Sequence, residues 1–539
     1  MSRSDEFNLV IISDLHLSEG RNPVTKKFNL NEDFFFDEEF TRFLTYLEDE
    51  SQRRGRKWRL IIAGDMVDFL QITRLPEGTE FELRKSEKKY GLGTHPNKTI
   101  WKMKVMMDGH WVFFKAVGRF ICAGHKCTIV TGNHDIEWTV PEVQMAFREE
   151  MKKYLPGDVI KKEEVVSSQI EFCPWFYYEP GVIWIEHGNQ YEGINSFDYF
   201  LFPYLPNSKE LMLPSGSFFV RYLFNKVEEI DPFADNIKPL SRYVKKYLLK
   251  LLFSSSVLRN LGYFLKILGK IKKFGKEELA VLSQKNDEEI ESEAKRFGIE
   301  MENLNAIKRH WVPSFLYNKG WIGNIIKFLW YKTEGIYQKK ALMIQKQLNV
   351  RYVVFGHTHE VDLHLLEPSE KTEYSNSGTW TKIFSNNPTE RLLHEEQESI
   401  FVQILKDEAN KLELLKWRDD IGLGERVKLF EQRRHIAMLK NFFKDKVFWV
   451  TGIIGLVLMG LTLYFDINPV EGSVVPEYIR GTAFHIFLFI TCMPAWIAGL
   501  MVSSVIPIPF QVMACIIQIF LYGIIGKIIH RGVISFKTR

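Results

Sequence analysis

Phe7-Asn8-Leu9-Val10-Ile11-Ile12-Ser13-Asp14-Leu15-His16 decides how this chain is read. A short apolar, β-branched run of this kind predicts a buried strand. It ends on a carboxylate and an imidazole, which a buried strand does not need. The same event recurs four times: Arg59 to Ala63 leads into Gly64-Asp65-Met66-Val67-Asp68, and Cys127 to Thr131 into Gly132-Asn133-His134-Asp135. Val182 to Glu186 leads into His187-Gly188-Asn189, and Tyr352 to Phe355 into Gly356-His357-Thr358-His359. Ligands of an open α/β sheet bind beyond the carboxyl ends of its strands, so five strands ending this way are expected to aim their polar ends at one crevice.

The side chains at those ends are Asp, His, Asp, Asn, His, His and His. This mixture of oxygen and imidazole suits two borderline divalent cations, such as Mn²⁺, Fe²⁺, Zn²⁺ or Co²⁺, better than Ca²⁺, which prefers oxygen alone. Two such ions about 3.5–4 Å apart clamp a phosphoryl group, acidify a water and stabilise a leaving oxygen. Asp65 is a carboxylate able to bridge them. Gly64, Gly132 and Gly356 allow the tight turns that bring backbone close to ions and substrate. A lone Gly-Asp or Gly-His pair carries little weight; the order of five, each after a strand, carries the reading. His95, His110, His125, His310 and His364 have no such context and are read as surface or core residues.

In order and spelling the motifs resemble the calcineurin-like metallophosphoesterase superfamily, whose pattern is DxH, GDxxD, GNH[DE], H and GHxH. The resemblance covers about residues 7–190 and 351–417. It implies an α/β fold, a four-layer α/β/β/α sandwich. It also implies Asp14, His16, Asp65 and His359 around one metal, with Asp65, Asn133, His187 and His357 around the other. Manganese is the first expectation for the two divalent ions, with iron, zinc or cobalt as alternatives. By the same resemblance His134 contacts the phosphate and protonates or stabilises the leaving group, Asp135 orients His134, and Asp68 helps to place the ligands. The implied activity is hydrolysis of a phosphoester or pyrophosphate by metal-bound hydroxide. That reaction needs no nucleophilic side chain, and neither a serine elbow nor GxxxxGK[ST] is present.

Composition bounds the rest. The 539 residues exceed one ordinary core, and 45% hydrophobic with 14% aromatic content excludes intrinsic disorder. Seventy-one Lys and Arg against 67 Asp and Glu give +4, too balanced for a general polyanion binder. Five scattered cysteines, Cys122, Cys127, Cys173, Cys492 and Cys515, form neither a disulfide framework nor a zinc motif. The expected organisation is a phosphoesterase domain in two parts, 1–200 and 346–418, split by a mainly helical basic insertion at 201–345. A basic juxtamembrane linker follows at 419–446, then a transmembrane region with two or three helices at 447–530.

The membrane expectation rests on Val447 to Phe465, 19 residues without a charge. At about 1.5 Å per residue they match a hydrocarbon core of roughly 30 Å. Gly481 to Val505 and Phe510 to Gly526 are also free of Asp, Glu, Lys and Arg. Arg426, Lys428, Arg433, Arg434, Lys440, Lys444 and Lys446 precede the first span, so the catalytic part of a multi-pass membrane protein is expected to face the cytoplasm. Lys238 to Lys276 holds eleven Lys or Arg and no acid, interleaved with aromatic and aliphatic residues. This stretch reads as a solvated face, a nucleic-acid contact or a surface for anionic lipid. The third option, with the spans, gives a partial likeness to the bacterial UDP-2,3-diacylglucosamine pyrophosphohydrolases. The chain departs from them where His134 stands in place of their usual Arg, and in His187-Gly188-Asn189-Gln190-Tyr191. A lipid-linked phosphoester is therefore the first substrate class. A nucleotide or nucleic-acid phosphodiesterase is the second, and a metal-phosphate sensor controlling the membrane segment is the third.

Overall fold

The computed structural model describes residues 7–22, 24–78, 81–224, 237–238, 274–314, 335–367, 372–381, 384–385 and 399–426. The expected linker from 427 onward, the transmembrane region 447–530 and most of the basic stretch 238–276 lie outside the described residues. Among the described residues no helix is long and apolar enough to cross a membrane.

The chain is mixed α/β with two mixed sheets. β1 (Phe7–Ile12), β2 (Lys57–Ala63), β3 (Lys126–Val130) and β4 (Ile170–Cys173) lie side by side and parallel. A second sheet begins with β5 (Phe176–Glu179) and β6 (Ile183–Glu186), a tight antiparallel hairpin. β7 (Tyr352–Phe355) then lies parallel to β6. β8 (Val361–Glu367) and β9 (Thr372–Ser377) pair antiparallel, and β9 runs parallel to β7. The chain then returns to the first sheet: β10 (Ile400–Leu405) pairs antiparallel with β1, followed by β11 (Lys411–Arg418) and β12 (Leu423–Arg426). The orders are β12-β11-β10-β1-β2-β3-β4 and β5-β6-β7-β9-β8. Short connections cannot cross over, which is why β8 and β9, β10 and β11, and β11 and β12 pair antiparallel. β12 also carries the sheet through Arg426, past the expected boundary at 418, because Leu415 to Arg418 still offer an edge for it to pair with.

Every residue of β1, β6 and β7 is buried, as strands covered on both faces require. Helix α1 (Asp37–Arg54) lays Phe40, Phe43, Leu44 and Leu47 on the first sheet. Phe43 meets Trp380, Phe401 and Trp417 with ring centroids 5.0–5.5 Å apart, joining residues far apart in sequence. The residues of the expected insertion that are described include a 22-residue helix, Lys276–Phe297. It is anchored to the sheets by Arg296, which ion-pairs with Glu171 of β4, and by Phe297, 5.0 Å from Phe176 of β5.

Because β1, β2 and β3 are parallel, their carboxyl ends share one edge of the first sheet; the ends of parallel β6 and β7 share one edge of the second. The loops at these ends are zipped together by backbone bonds. Asp14 and His16 N–H donate to Gly64 O and Asp65 O at 3.1 and 3.0 Å, and Gly356 N–H donates to His187 O at 3.1 Å.

Candidate metal centre

All five motifs meet at this junction. Their backbone is unusual: Asp14, His16, Asp65, His357 and His359 have φ of 53°, 51°, 50°, 71° and 57°. Left-handed backbone at non-glycine residues costs energy and collects at functional sites. Gly64, at φ 87°, could not carry a side chain, since a Cβ would stand 2.4 Å from His187 Nδ1. At Gly132 a Cβ would stand 2.1 Å from Asp65 Oδ1. These two glycines are what lets the β2 and β3 loops close on the site.

One lobe gathers Asp14, His16 and His359. The Nε2 atoms of His16 and His359 are 3.1 Å apart, and Asp14 Oδ1 lies 3.2 Å from His359 Nε2 and 3.9 Å from His16 Nε2. Asp65 Oδ2 is 3.9 Å from His16 Nε2, on the side of the second lobe. There Asp65 Oδ2 is 2.9 Å from His187 Nε2, Asn133 Oδ1 is 3.2 Å from the same nitrogen, and the His187 and His357 rings lie 5.1 Å apart. The sets Asp14/His16/His359, Asp65/His187/His357 and His16/Asp65/His134 each have the compactness to hold a metal ion. Asp65 belongs to two of them and so sits between the lobes.

Proton accounting says what these atoms want. His187 Nδ1 is 2.9 Å from Ala63 O, and a carbonyl only accepts, so Nδ1 carries the hydrogen. Nε2 of a neutral His187 is then an acceptor facing a carboxylate oxygen and an amide oxygen. Three acceptors converging on one point require a positive charge, either a proton on His187 or a cation in its place. The charges respond accordingly. Burial alone would lower the His187 pKa, yet Asp65, by charge and hydrogen bond, and Asp14 push it up to about 9. Burial would raise the Asp65 carboxyl, but His187 and His134 hold it well below the usual range. Asp14 is likewise held low by His359 and His187 against the effect of burial.

His134 is the more open imidazole, its side chain 18% exposed against 1% for His187. Its backbone N–H donates to Asp65 Oδ1 at 2.8 Å, and its Nδ1 is 2.5 Å from Asp68 Oδ2. Asp68 also lies 3.8 Å from His16 Nδ1, and His134 and His16 hold its carboxyl low against burial. Asp135, expected to orient His134, accepts N–H groups of Gly132, Met66 and Val67 at 2.7, 2.8 and 3.4 Å, and Trp138 Nε1–H at 3.1 Å. Burial and the Asp65 charge push its pKa up to about 7. Asp135 thus ties the β2 and β3 loops together, while Asp68 meets His134.

A frame of hydroxyls and amides supports these side chains. Ser13 Oγ donates to Asp14 Oδ2 at 2.5 Å, and His357 N–H donates to the same oxygen at 3.0 Å. Thr379 Oγ1 donates to Asp14 O at 2.8 Å, and Asn376 Nδ2 to Gly356 O at 2.6 Å. Asn376 and Thr379, at the end of β9 and just beyond it, therefore brace the backbone of two motifs. Glu192, absent from the sequence reading, places Oε2 2.8 Å from His357 Nε2. Its only signal was an acidic residue closing the run that begins at His187.

Comparison with protein-family models finds no match for this chain, and comparison with curated proteins finds none either. Buried Asp and His groupings with the geometry to bind metal ions are what the site shows directly.

Proposed function

We propose that this protein is a dinuclear-metal-dependent phosphohydrolase of the calcineurin-like metallophosphoesterase kind, built on the four-layer α/β/β/α arrangement. The observation that carries the reading is the pair of Asp/His lobes sharing Asp65, with the partly exposed His134 beside them. Asp14, His16, Asp65 and His359 hold one divalent cation, and Asp65, Asn133, His187 and His357 the other. Manganese, iron, zinc or cobalt suit this mixed set of oxygen and imidazole donors. Bound there, the ions supply charge for the phosphoryl oxygens and a water acidic enough to attack at neutral pH.

The chain's own residues do the remainder. Asp68 accepts a hydrogen bond from Nδ1–H of His134 and so favours the doubly protonated ring; Nε2–H is then the group that meets the phosphoester and gives its proton to the leaving oxygen, leaving His134 neutral. Ser13, Thr379 and Asn376 keep the loops rigid, so that donors do not reorganise as charge develops. The substrate we favour is a lipid-linked phosphoester or pyrophosphate at the cytoplasmic membrane face, supported by the basic stretch 238–276 and the uncharged segments after 447.

The test is turnover of bis-p-nitrophenyl phosphate by full-length protein with Mn²⁺. His134→Ala is expected to lower it by about 10²–10⁴-fold, the usual worth of a placed acid, while metal content stays at the wild-type level. Equal loss of metal would make His134 a ligand, in keeping with its place beside His16 and Asp65. A panel of glycolipid diphosphates, phospholipids, cyclic dinucleotides and single-stranded nucleic acid then sets the class. Cleavage of the nucleotides alone would refute the lipid assignment.

A further inference from the structure

Glu192 has no part in the reading above, and its placement asks for one. Gly188, with φ 103°, turns the chain after His187 into the short 3-10 helix Asn189–Tyr191, which delivers Glu192 back over the second lobe. One carboxylate oxygen, Oε2, receives Asn195 Nδ2 at 2.9 Å and lies 2.8 Å from His357 Nε2. A carboxylate at this distance takes a hydrogen from the ring, so Nε2 of His357 carries the proton and Nδ1 keeps the lone pair that ligation requires.

We infer that Glu192 is a positioning residue for the second metal site: it selects the Nδ1-ligating tautomer of His357 and holds the ring in place. This rests on the reading of the Asp65/His187/His357 lobe as a metal site. Two features support it beyond the single contact. His187, the other imidazole of the lobe, has its far nitrogen fixed in the same manner by Ala63 O, so both rings are set by an acceptor behind them. The two acceptors differ in charge, and ligating histidines backed by a carboxylate bind metal more strongly than their neutral counterparts. Glu192 is also sheltered, its side chain 15% exposed beside a His357 side chain at 7%, so solvent weakens the pairing little. The turn that brings Glu192 here starts from His187 itself; one segment thus supplies a ligand to the lobe and the brace for another.

The experiment is titration of metal-stripped full-length protein with Co²⁺, followed by calorimetry and by the visible absorption of the bound ion. Glu192→Ala is expected to weaken Co²⁺ binding by about 10–100-fold and to alter the visible band. Glu192→Gln keeps an acceptor but loses the charge, and should fall between Glu192→Ala and the wild type. Asn195→Ala removes the amide that also donates to this carboxylate and should bind as the wild type does. Wild-type affinity in either Glu192 variant would overturn the assignment, as would an Asn195→Ala loss equal to that of Glu192→Ala, which would mean the carboxylate acts through the turn. If Glu192→Ala does not fold, the Glu192→Gln titration decides alone. Failure of the wild-type protein to bind Co²⁺ would refute the metal reading itself, an outcome distinct from normal binding by the variants.

Discussion

Two buried histidine–carboxylate clusters among the described residues, one around His110 and one at the five motifs, solve opposite problems. His110, at the junction of the helices Pro96–Gly109 and Trp111–Cys122, has Nδ1 3.0 Å from Asp37 Oδ1 and Nε2 3.1 Å from Glu32 Oε2. Both ring nitrogens face carboxylates, and Glu32 also accepts Gly20 N–H at 2.6 Å and Ser18 Oγ–H at 2.8 Å. The cluster is satisfied by a proton. Burial opposes a charge on His110, but Glu32 and Asp37 overcome it and push the pKa up to about 10. In the centre formed by the five motifs, Nε2 meets Nε2 across 3.1 Å, and a nitrogen whose partner atom is already protonated faces two oxygens. Donors are short there, and either a proton on His187 or a cation in its place completes it. What separates a structural histidine from a ligand is therefore the hydrogen-bond balance of its surroundings; burial and carboxylate neighbours are common to both.

The two clusters are expected to differ most at Asp65. Asp65→Ala removes the carboxylate common to both lobes and is expected to abolish two-metal occupancy and bring turnover below detection, with metal counted by elemental analysis. Retention of both ions would defeat the bridging role. His110→Leu should do the reverse: leave metal content intact in the folded protein but cost about 3–5 kcal/mol of stability in a denaturant titration, because Glu32 and Asp37 are left buried without their cation. The pH response distinguishes the clusters further. The folded pKa of His110, about 10, exceeds the ordinary 6.5, so its stabilisation is complete below about pH 6.5 and is lost as pH rises through 10. Metal affinity should run the other way, rising with pH as protons leave the ligand imidazoles. Thermal midpoints of the wild type and His110→Leu across pH 6 to 10, beside Co²⁺ affinity over the same range, would check both signs.

The smallest effect expected separates the two acids near His134. Asp68→Asn should change turnover and the pH–rate profile, since it removes the charge that orients His134, with little change in unfolding. Asp135→Asn should cost about 1–3 kcal/mol of stability, as an amide cannot accept all the N–H groups that meet there, and should leave the shape of the pH–rate profile unchanged. The reverse outcome would restore to Asp135 the role expected from its place next to His134.

Much of the site was legible because strand ends are local events. A β-branched run that stops at Asp14, Asp65, Asn133, His187 or His357 states that a polar side chain stands at a strand terminus, and the structure brings all five loops together. The partners of those residues were hidden for the opposite reason. Asp68 reaches His134 across 66 positions, Thr379 reaches Asp14 across 365, and Glu192 reaches His357 across 165. No periodicity or spacing encodes such pairs. His110 shows the same limit, since its carboxylates lie 73 and 78 positions away.

By itself the sequence determined the α/β class, the strands of the site and the eight polar residues, Asp14, His16, Asp65, Asn133, His134, His187, His357 and His359, at their ends. These follow from hydrophobic patterning and residue chemistry within a few positions of one another. Only the tertiary structure decided that β10 to β12 close the first sheet against β1, that Asp68 meets His134, and that Glu192 stands behind His357. A hydrogen bond depends on where two atoms lie to within a few tenths of an ångström, and that placement is set by packing of the whole core.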